Sequence, residues 1–298
     1  MIDFHKPSLE DKKWINERIN EVGAPSCEYT FGNIFSYTAK MDIKVAEVFG
    51  CLVTRCVFND EAMYCYPIGN GDRKKAVEAL VEDGLAFGKN FCLFGLTRDF
   101  AEELEGNFPG KFEIFFDRDG SDYLYNSEDL IFLKGKKYQP KRNHISFFEK
   151  NYNWEYEPIT RDNIPECIRM NEKWIESSLS EYREDLEYEF EIIRLVFENY
   201  EALDFVGGLI RVDGEVIAYT MGERMNDDTF CVHFEKAFSQ FRGAYPIINR
   251  EFCKRELSSY KYIDREDDVG AENLRKAKLS YHPVIIREEY EAKLKDVD

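Results

Sequence analysis

The sequence is short of cations, has no closely paired cysteines and contains no long apolar run, and each shortage removes a class of protein. Its 40 Lys and Arg residues stand against 58 Asp and Glu, a formal net charge of -18. Such a surface repels the phosphates of nucleic acid and anionic lipid, and a basic patch overrides that average only over a Debye length of about 8 Å. The eight cysteines, at positions 27, 51, 56, 65, 92, 167, 231 and 253, include no Cys-x-x-Cys. They sit mostly in apolar or strand-like runs, so they read as reduced core thiols and not as a zinc ribbon or a disulfide framework. No apolar stretch approaches the roughly 18 residues of a membrane span, and no secretory leader pattern is visible. The expectation is a cytoplasmic protein without a membrane segment.

What is present is a globular composition, with 44% hydrophobic and 15% aromatic residues. A chain of 298 residues suits two domains. The boundary is expected near residue 150, giving lobes 1–150 and 151–298. In the first, Ser8 and Asp11 are spaced as a capping box for a helix over Leu9–Val22, with Trp14, Ile15, Ile19 and Val22 inward. The aromatic stretch from Tyr29 to Phe35 is expected to pack under a sheet. Strands follow at Ile43–Phe49, Gly50–Val57 and Ala62–Tyr66, then a helix over Arg73–Phe87 and a strand at Phe91–Leu96. After a short helix at Arg98–Leu104, Phe112–Phe116 and Tyr123–Tyr125 read as strands around an Asp117-Arg118-Asp119-Gly120 turn. The pattern is mixed α/β.

Lys134–Lys150 is the one concentrated basic run, with Lys134, Lys136, Lys137, Lys141, Arg142 and Lys150 against a lone Glu149. It reads either as a solvated linker between lobes or as a mixture of cations and rings, Tyr138 and His144, that can hold phosphate oxygens. Beyond it a helix reaches Trp174, with Pro165 in its first turn and Asp162 or Asn163 as cap. The acidic run from Glu176 to Glu191, opposed only by Arg183, reads as a solvated face ahead of a helix carrying Phe190, Ile193, Val196, Phe197 and Tyr200.

The hairpin Leu203–Val212 and Glu215–Gly222 turns at Asp213-Gly214, and Thr229–Phe234 adds a strand. Gln240-Phe241-Arg242-Gly243-Ala244-Tyr245 then opens a helix whose Ala244, Ile247, Ile248 and Phe252 share a face. Unpaired N–H groups and the helix dipole at such a point can hold a phosphate; alternatively Gly243 only permits a tight turn. A strand at Tyr260–Ile263, a helix at Ala271–Leu279, a strand at Val284–Ile286 and a charged surface tail complete the chain.

Gln240-x-x-Gly243-Ala244 resembles the pyrophosphate loop Q/R-x-x-G-x-G/A of the GNAT acyltransferase superfamily, although Tyr245 stands where that pattern has a small residue. No such match occurs in the first lobe. Phe234-Glu235-Lys236-Ala237, Gly243-Ala244-Tyr245 with Ile248-Asn249, Arg265 to Gly270, Leu274 to Lys278, Ser280-Tyr281-His282-Pro283, Gly135-Lys136-Lys137 and Pro140 to Ile145 together resemble a bacterial family related to the C-terminal domain of phosphatidylglycerol lysyltransferase. The resemblance spans nearly the whole chain. It implies two tandem GNAT-like folds, mixed central sheets flanked by helices, and acyl or aminoacyl transfer.

Transfer needs a cradle for the donor, a base and an acid. The expected cradle is Gln240, Arg242, Gly243, Ala244 and Tyr245. Glu235 is the first candidate base and Glu266 the second, and Tyr281, four residues after Ala277, resembles the tyrosine general acid of GNAT enzymes. Lys137, Lys141, Arg142 and His144 are the substrate-binding candidates. Strand alternation puts Cys231, His233 and Glu235 on one face, but without an identifiable fourth ligand no metal is expected. His282, alone, reads as structural. Three readings stand: transfer from aminoacyl-tRNA, with tRNA as partner; a coenzyme A-dependent N-acetyltransferase using an acyl-coenzyme A donor; and a non-catalytic binding module. Acceptor and oligomeric state are not legible.

Overall fold

The computed structural model describes residues 2–58, 61–87, 91–177 and 183–295. The chain divides into two compact units. The first is Met1–Asp122 with Asp267–Glu272 and Ile286–Asp298, and the second is Tyr123–Glu266 with Asn273–Ile285. The division thus falls at residue 122 and not near 150, and the basic run belongs to the second unit. A boundary placed by chain length alone misses this, because residues 267–272 and 286–298 return to the first unit.

In the first unit the Ser8 N–H and hydroxyl both bond the Asp11 carboxylate, at 2.8 and 2.9 Å, and start the helix α1 (Lys12–Val22). The short helix α2 (Phe31–Ser36) follows, with Tyr29 and Phe31 buried as expected of packing aromatics. Strands β1 (Asp42–Val48), β2 (Cys51–Phe58) and β3 (Glu61–Cys65) pair antiparallel in sequence. Helix α3 (Arg73–Phe87) then returns the chain so that β4 (Phe91–Leu96) runs parallel to β3. Helix α4 (Arg98–Asn107) leads into β5 (Phe112–Asn126), which contributes Phe112–Asp122 here. Asp117 caps the N–H groups of Asp119 and Gly120 as the turn signal predicts, yet the pairing continues through it, so one long strand replaces the two expected. Arg55 and Asp83 form a buried ion pair at 2.9 Å to which the Tyr64 hydroxyl adds a 2.7 Å bond.

The second unit begins with Tyr123–Asn126 and the helix α5 (Ser127–Phe132). The basic run is not a linker. It is the helix α6 (Gln139–Asn151), because Pro140 suits a first turn and Ile145 and Phe148 fall on one face, where both are buried. Next come β6 (Trp154–Pro158), α7 (Ile164–Glu176) and α8 (Arg183–Glu198); residues 178–182 of the acidic run lie outside the described residues. Strands β7 (Val206–Val212), β8 (Glu215–Arg224) and β9 (Thr229–Ala237) form an antiparallel meander beside β6. Helix α9 (Ala244–Arg255) then brings the chain back to β10 (Tyr262–Asp264), which lies between β5 and β9 and runs parallel to β9. Ile247, Ile248 and Phe252 of α9 enter the core with Phe230, Val232, Ile263 and Phe148.

The last elements are α10 (Glu272–Leu279) and β11 (Ile285–Leu294). The expected surface tail is instead mostly strand. It pairs antiparallel with β4 in the first unit and buries Ala292, because charged residues alternate there with core-facing ones.

Two irregularities along β9 bear on the candidate site. Phe234 pairs with Met221 but Val232 pairs with Gly222, so His233 is the extra residue of a β-bulge. Parallel pairing of β9 with β10 runs only from Thr229↔Tyr262 to Cys231↔Asp264, while β9 continues to Ala237. The sheet therefore opens beside the second half of β9.

At Gly222 a Cβ would fall on the Cys231 carbonyl across the bulge. Gly222→Ala should therefore lower unfolding free energy by about 3 kcal/mol, the upper range for overpacking. Gly106, in α4 with open space around it, should accept alanine with a gain of about 0.5–1 kcal/mol. Urea denaturation of both variants checks the contrast.

Candidate functional site

The opening beside β9 is occupied by a charged cluster. Arg265, directly after β10, is pinned by its own N–H to the Tyr123 carbonyl (3.0 Å) and, next in sequence, by the Glu266 carbonyl accepting from Tyr123 (3.1 Å). Its guanidinium meets Glu235 of β9 at 2.8 Å, with only 14% and 11% of the two side chains exposed. The other Glu235 oxygen receives the Asn249 amide of α9 at 3.4 Å. Arg265 also lies 5.2 Å from the Tyr281 ring centre and 5.9 Å from that of Tyr125. Lys141 of α6 completes the group, its Nζ 3.7 Å from the Tyr281 ring centre.

These neighbours set the proton chemistry. Burial and the Arg265 cation pull the Lys141 ammonium down to about 8, with Glu235 opposing. Burial pushes the Tyr281 hydroxyl up, and Arg265 works the other way. Burial likewise opposes the charge on Arg265, but Glu235 and the ring hydroxyls outweigh it and hold the guanidinium protonated. Two cations face one carboxylate, so the cluster offers net positive potential in a chain of formal charge -18. A partly neutral lysine, a tyrosine hydroxyl and a fixed guanidinium can move a proton and stabilise a developing oxyanion.

Glu235, Tyr281 and Lys141 are thus brought together, and Arg265, Asn249 and Tyr125 join them. These last three carry no sequence signal as site residues, although Arg265 and Asn249 fall within the phrases that carry the family resemblance. Lys137 and His144 are exposed, with the Lys137 ammonium over the Tyr138 ring at 4.7 Å. Arg142 is engaged by backbone, donating to the Leu133 and Gly135 carbonyls that end α5.

The glycine loop serves helix packing. Gly243 takes φ +97°, and a Cβ there would lie 2.5 Å from the His144 carbonyl oxygen of α6. Arg242 rests over the Phe147 ring of the same helix at 4.5 Å. The Ala244 N–H is taken by the Phe241 carbonyl (2.9 Å), and Pro246 has none to offer. Gln240 and Tyr245 are exposed.

The face shared by Cys231, His233 and Glu235 does not exist. The bulge at His233 inverts the alternation, so Glu235 faces α9 while Cys231 and His233 face Phe205 and Glu223. Glu266, the second candidate base, joins that opposite group, with its Oε1 2.6 Å from His233 Nδ1. His233 Nε2 meets Glu223 at 3.0 Å. Burial opposes charge on this imidazole, but the thiol and the carboxylates around it hold it well above the usual range.

Against known proteins, residues 20–293 match the family described as phosphatidylglycerol lysyltransferase, C-terminal. The chain belongs to that family. A conserved protein of unknown function from Bacteroides thetaiotaomicron shares 39% identity and superposes with a TM-score of 0.93 over 99% of this chain and 100% of that one. The structure of L-PGS from Bacillus licheniformis superposes with a TM-score of 0.68 at 14% identity, over 99% and 94%. A tandem GNAT protein of the clavulanic acid biosynthesis pathway does so at 0.51 and 9%, covering 100% of both chains. The fold of this lysyltransferase-family chain is therefore mixed α/β, of the tandem GNAT-like kind. An uncharacterized protein of Mycoplasmoides gallisepticum is 26% identical over 182 residues, 58% of this chain, and the match spans 56% of that protein's length. Among the described residues no helix is long and apolar enough to cross a membrane.

Lys141 supplies a signed test. Its folded value near 8 lies below the 10.5 of a free lysine, so the unfolded chain binds the proton more tightly and the charged state opposes folding. Lys141→Met should be more stable than the wild type by about 2 kcal/mol below pH 8, the ~3 kcal/mol that the lowered value corresponds to being reduced by solvent screening of this partly exposed side chain. That advantage should shrink as pH rises from 8 toward 10.5. Urea melts at pH 7 and pH 9.5 read the difference.

Proposed function

We propose that this chain is a bacterial cytoplasmic aminoacyltransferase that takes its aminoacyl group from aminoacyl-tRNA. Family membership supports the reaction class, and the cluster of Lys141, Arg265, Tyr281 and Glu235 at the open edge of β9 is the observation that carries the site. In the transfer, neutral Lys141 removes the proton of an acceptor amine or hydroxyl as it attacks the ester carbonyl. Arg265, held by Glu235, faces the oxyanion. Tyr281 gives its proton to the departing tRNA 3′-oxygen and recovers one from the Lys141 ammonium. One acyl–oxygen bond breaks, one acyl–nitrogen or acyl–oxygen bond forms, and the enzyme ends as it began. Glu235 is a positioning residue in this scheme and not the base, because both its oxygens already accept bonds. Lys137, just before α6, and His144, on it, are both exposed, which supports them as the groups that meet tRNA phosphates.

The coenzyme A reading ranks lower. It requires the glycine loop as a pyrophosphate cradle, and α6 packs against Gly243 while Ala244 and Pro246 have no N–H to spare. The compartment assignment leans on eight cysteines that are all buried and unbridged.

Transfer from labelled aminoacyl-tRNA to small amine and hydroxyl acceptors tests the proposal. Lys141→Met and Tyr281→Phe should each lower kcat about 100-fold or more, within the usual range for acid–base groups, with circular dichroism unchanged. Binding of the tRNA should weaken steeply as salt rises. Saturable acetyl-coenzyme A binding that Gly243→Trp abolishes would instead restore the acetyltransferase. Variants that fold and keep full ligand binding without any turnover would leave the binding module.

A further inference from the structure

On the sheet face away from Glu235 lies a second assembly that the proposed transfer does not use. Cys231 and His233 come from β9, Glu223 from β8, and Glu266 from the turn after β10. Cys231 Sγ is 3.7 Å from His233 Nδ1 and 3.9 Å from Glu266 Oε1, and that oxygen is 2.6 Å from the same nitrogen. Three different donor atoms therefore converge on one point. The fourth residue, Glu223, takes the opposite ring nitrogen at 3.0 Å. Phe205 stacks on the imidazole at 5.5 Å and closes the apolar side.

We infer that Cys231 Sγ, His233 Nδ1 and Glu266 form a site for one divalent transition-metal ion of the zinc type. Tetrahedral zinc with its usual bond lengths separates sulfur from nitrogen or oxygen by about 3.6 Å and nitrogen from oxygen by about 3.4 Å. The sulfur–nitrogen distance already fits, and the sulfur–oxygen distance is about 0.3 Å long on that geometry. Only the Nδ1 to Oε1 distance must open, by about 0.8 Å on that geometry, and the Glu266 side chain, 26% exposed, is the member free to swing. Its exposed side also gives the ion a way in and leaves a fourth position for water. Glu223 on Nε2 is the carboxylate that orients a ligating histidine and fixes which nitrogen carries the proton.

The proton count balances. Loading releases the Cys231 thiol proton and the proton shared by His233 Nδ1 and Glu266, while Nε2–H stays on Glu223. Two positive charges replace two, so the buried cluster keeps its charge and no oxidant or reductant is involved. The backbone of Glu266 is held in the left-handed region at φ +57°, capped by Asp264 at 2.9 Å. A non-glycine residue in that conformation is the kind of local cost found where a side chain must be aimed. An ion here would tie β9 to the turn that presents Arg265, the neighbour of Glu266, to the opposite face.

The full chain, stripped with chelator and dialysed, is titrated with Zn²⁺ against a chromophoric competitor, and in parallel with Co²⁺ read by its absorption spectrum. One equivalent should bind, and cobalt should give a thiolate charge-transfer band with the strong visible bands of a tetrahedral site. Cys231→Ser should abolish the charge-transfer band and weaken zinc at least 100-fold. Glu266→Gln, at the partly exposed position that spares the fold, should weaken it at least 10-fold. Cys167→Ser, removing another buried thiol of the same unit, should change neither. Absence of uptake by the folded wild type overturns the inference, as does uptake that Cys231→Ser and Glu266→Gln leave unaltered. Should Cys231→Ser not fold, the Glu266→Gln affinity alone decides.

Discussion

The β-bulge at His233 is the constraint on which the second unit depends. In a regular strand, residues two apart share a face, and one inserted residue inverts everything beyond it. Here the insertion sends Glu235 toward α9, where Asn249 and Arg265 meet it, and leaves Cys231 and His233 with Glu223 and Phe205. Gly222 permits the bulge, having no Cβ to collide with the Cys231 carbonyl. A single missing methyl group thereby separates two chemically distinct clusters on opposite sides of one strand.

The charge on Arg265 is the second organising fact. A guanidinium with 14% of its side chain exposed is costly unless paired, and Glu235, the rings of Tyr125 and Tyr281, and the opening beside β9 supply its setting. Once fixed, that cation acts outward. Second to burial, it lowers Lys141 into the range where amine and ammonium coexist near neutral pH, so that range depends in part on a residue 124 positions away in sequence. Breaking short of Ala237, the parallel pairing provides the room, since a fully zipped β9 and β10 would place backbone where these side chains lie.

Helix α6 shows how one local pattern can serve two ends. The glycine that marks a phosphate loop marks equally a place where two helices approach closely, and both demand an absent Cβ. At Gly243 the close approach is to the His144 carbonyl, while Arg242 covers Phe147. The basic run that looks like a tether in isolation is amphipathic when wound: Ile145 and Phe148 enter the core, Arg142 caps α5, and Lys141 alone among its cations reaches the cluster.

By itself the sequence determined the elements and the class of fold, because hydrophobic periodicity, capping residues and turn glycines act over a few residues and are legible locally. Most helices and the β7–β8 hairpin follow from them, and the phrases around Lys141, Glu235, Gly243 and Tyr281 sufficed to reach the family and three members of the candidate site. Tertiary structure alone decided which unit each segment joins, that Glu235 parts company with His233, that Glu266 replaces it beside Cys231, and that Arg265 and Lys141 share one environment. Those outcomes depend on a register shift, on the point where strand pairing stops and on the burial of charges brought from distant segments. None of these is a property of any short stretch of chain.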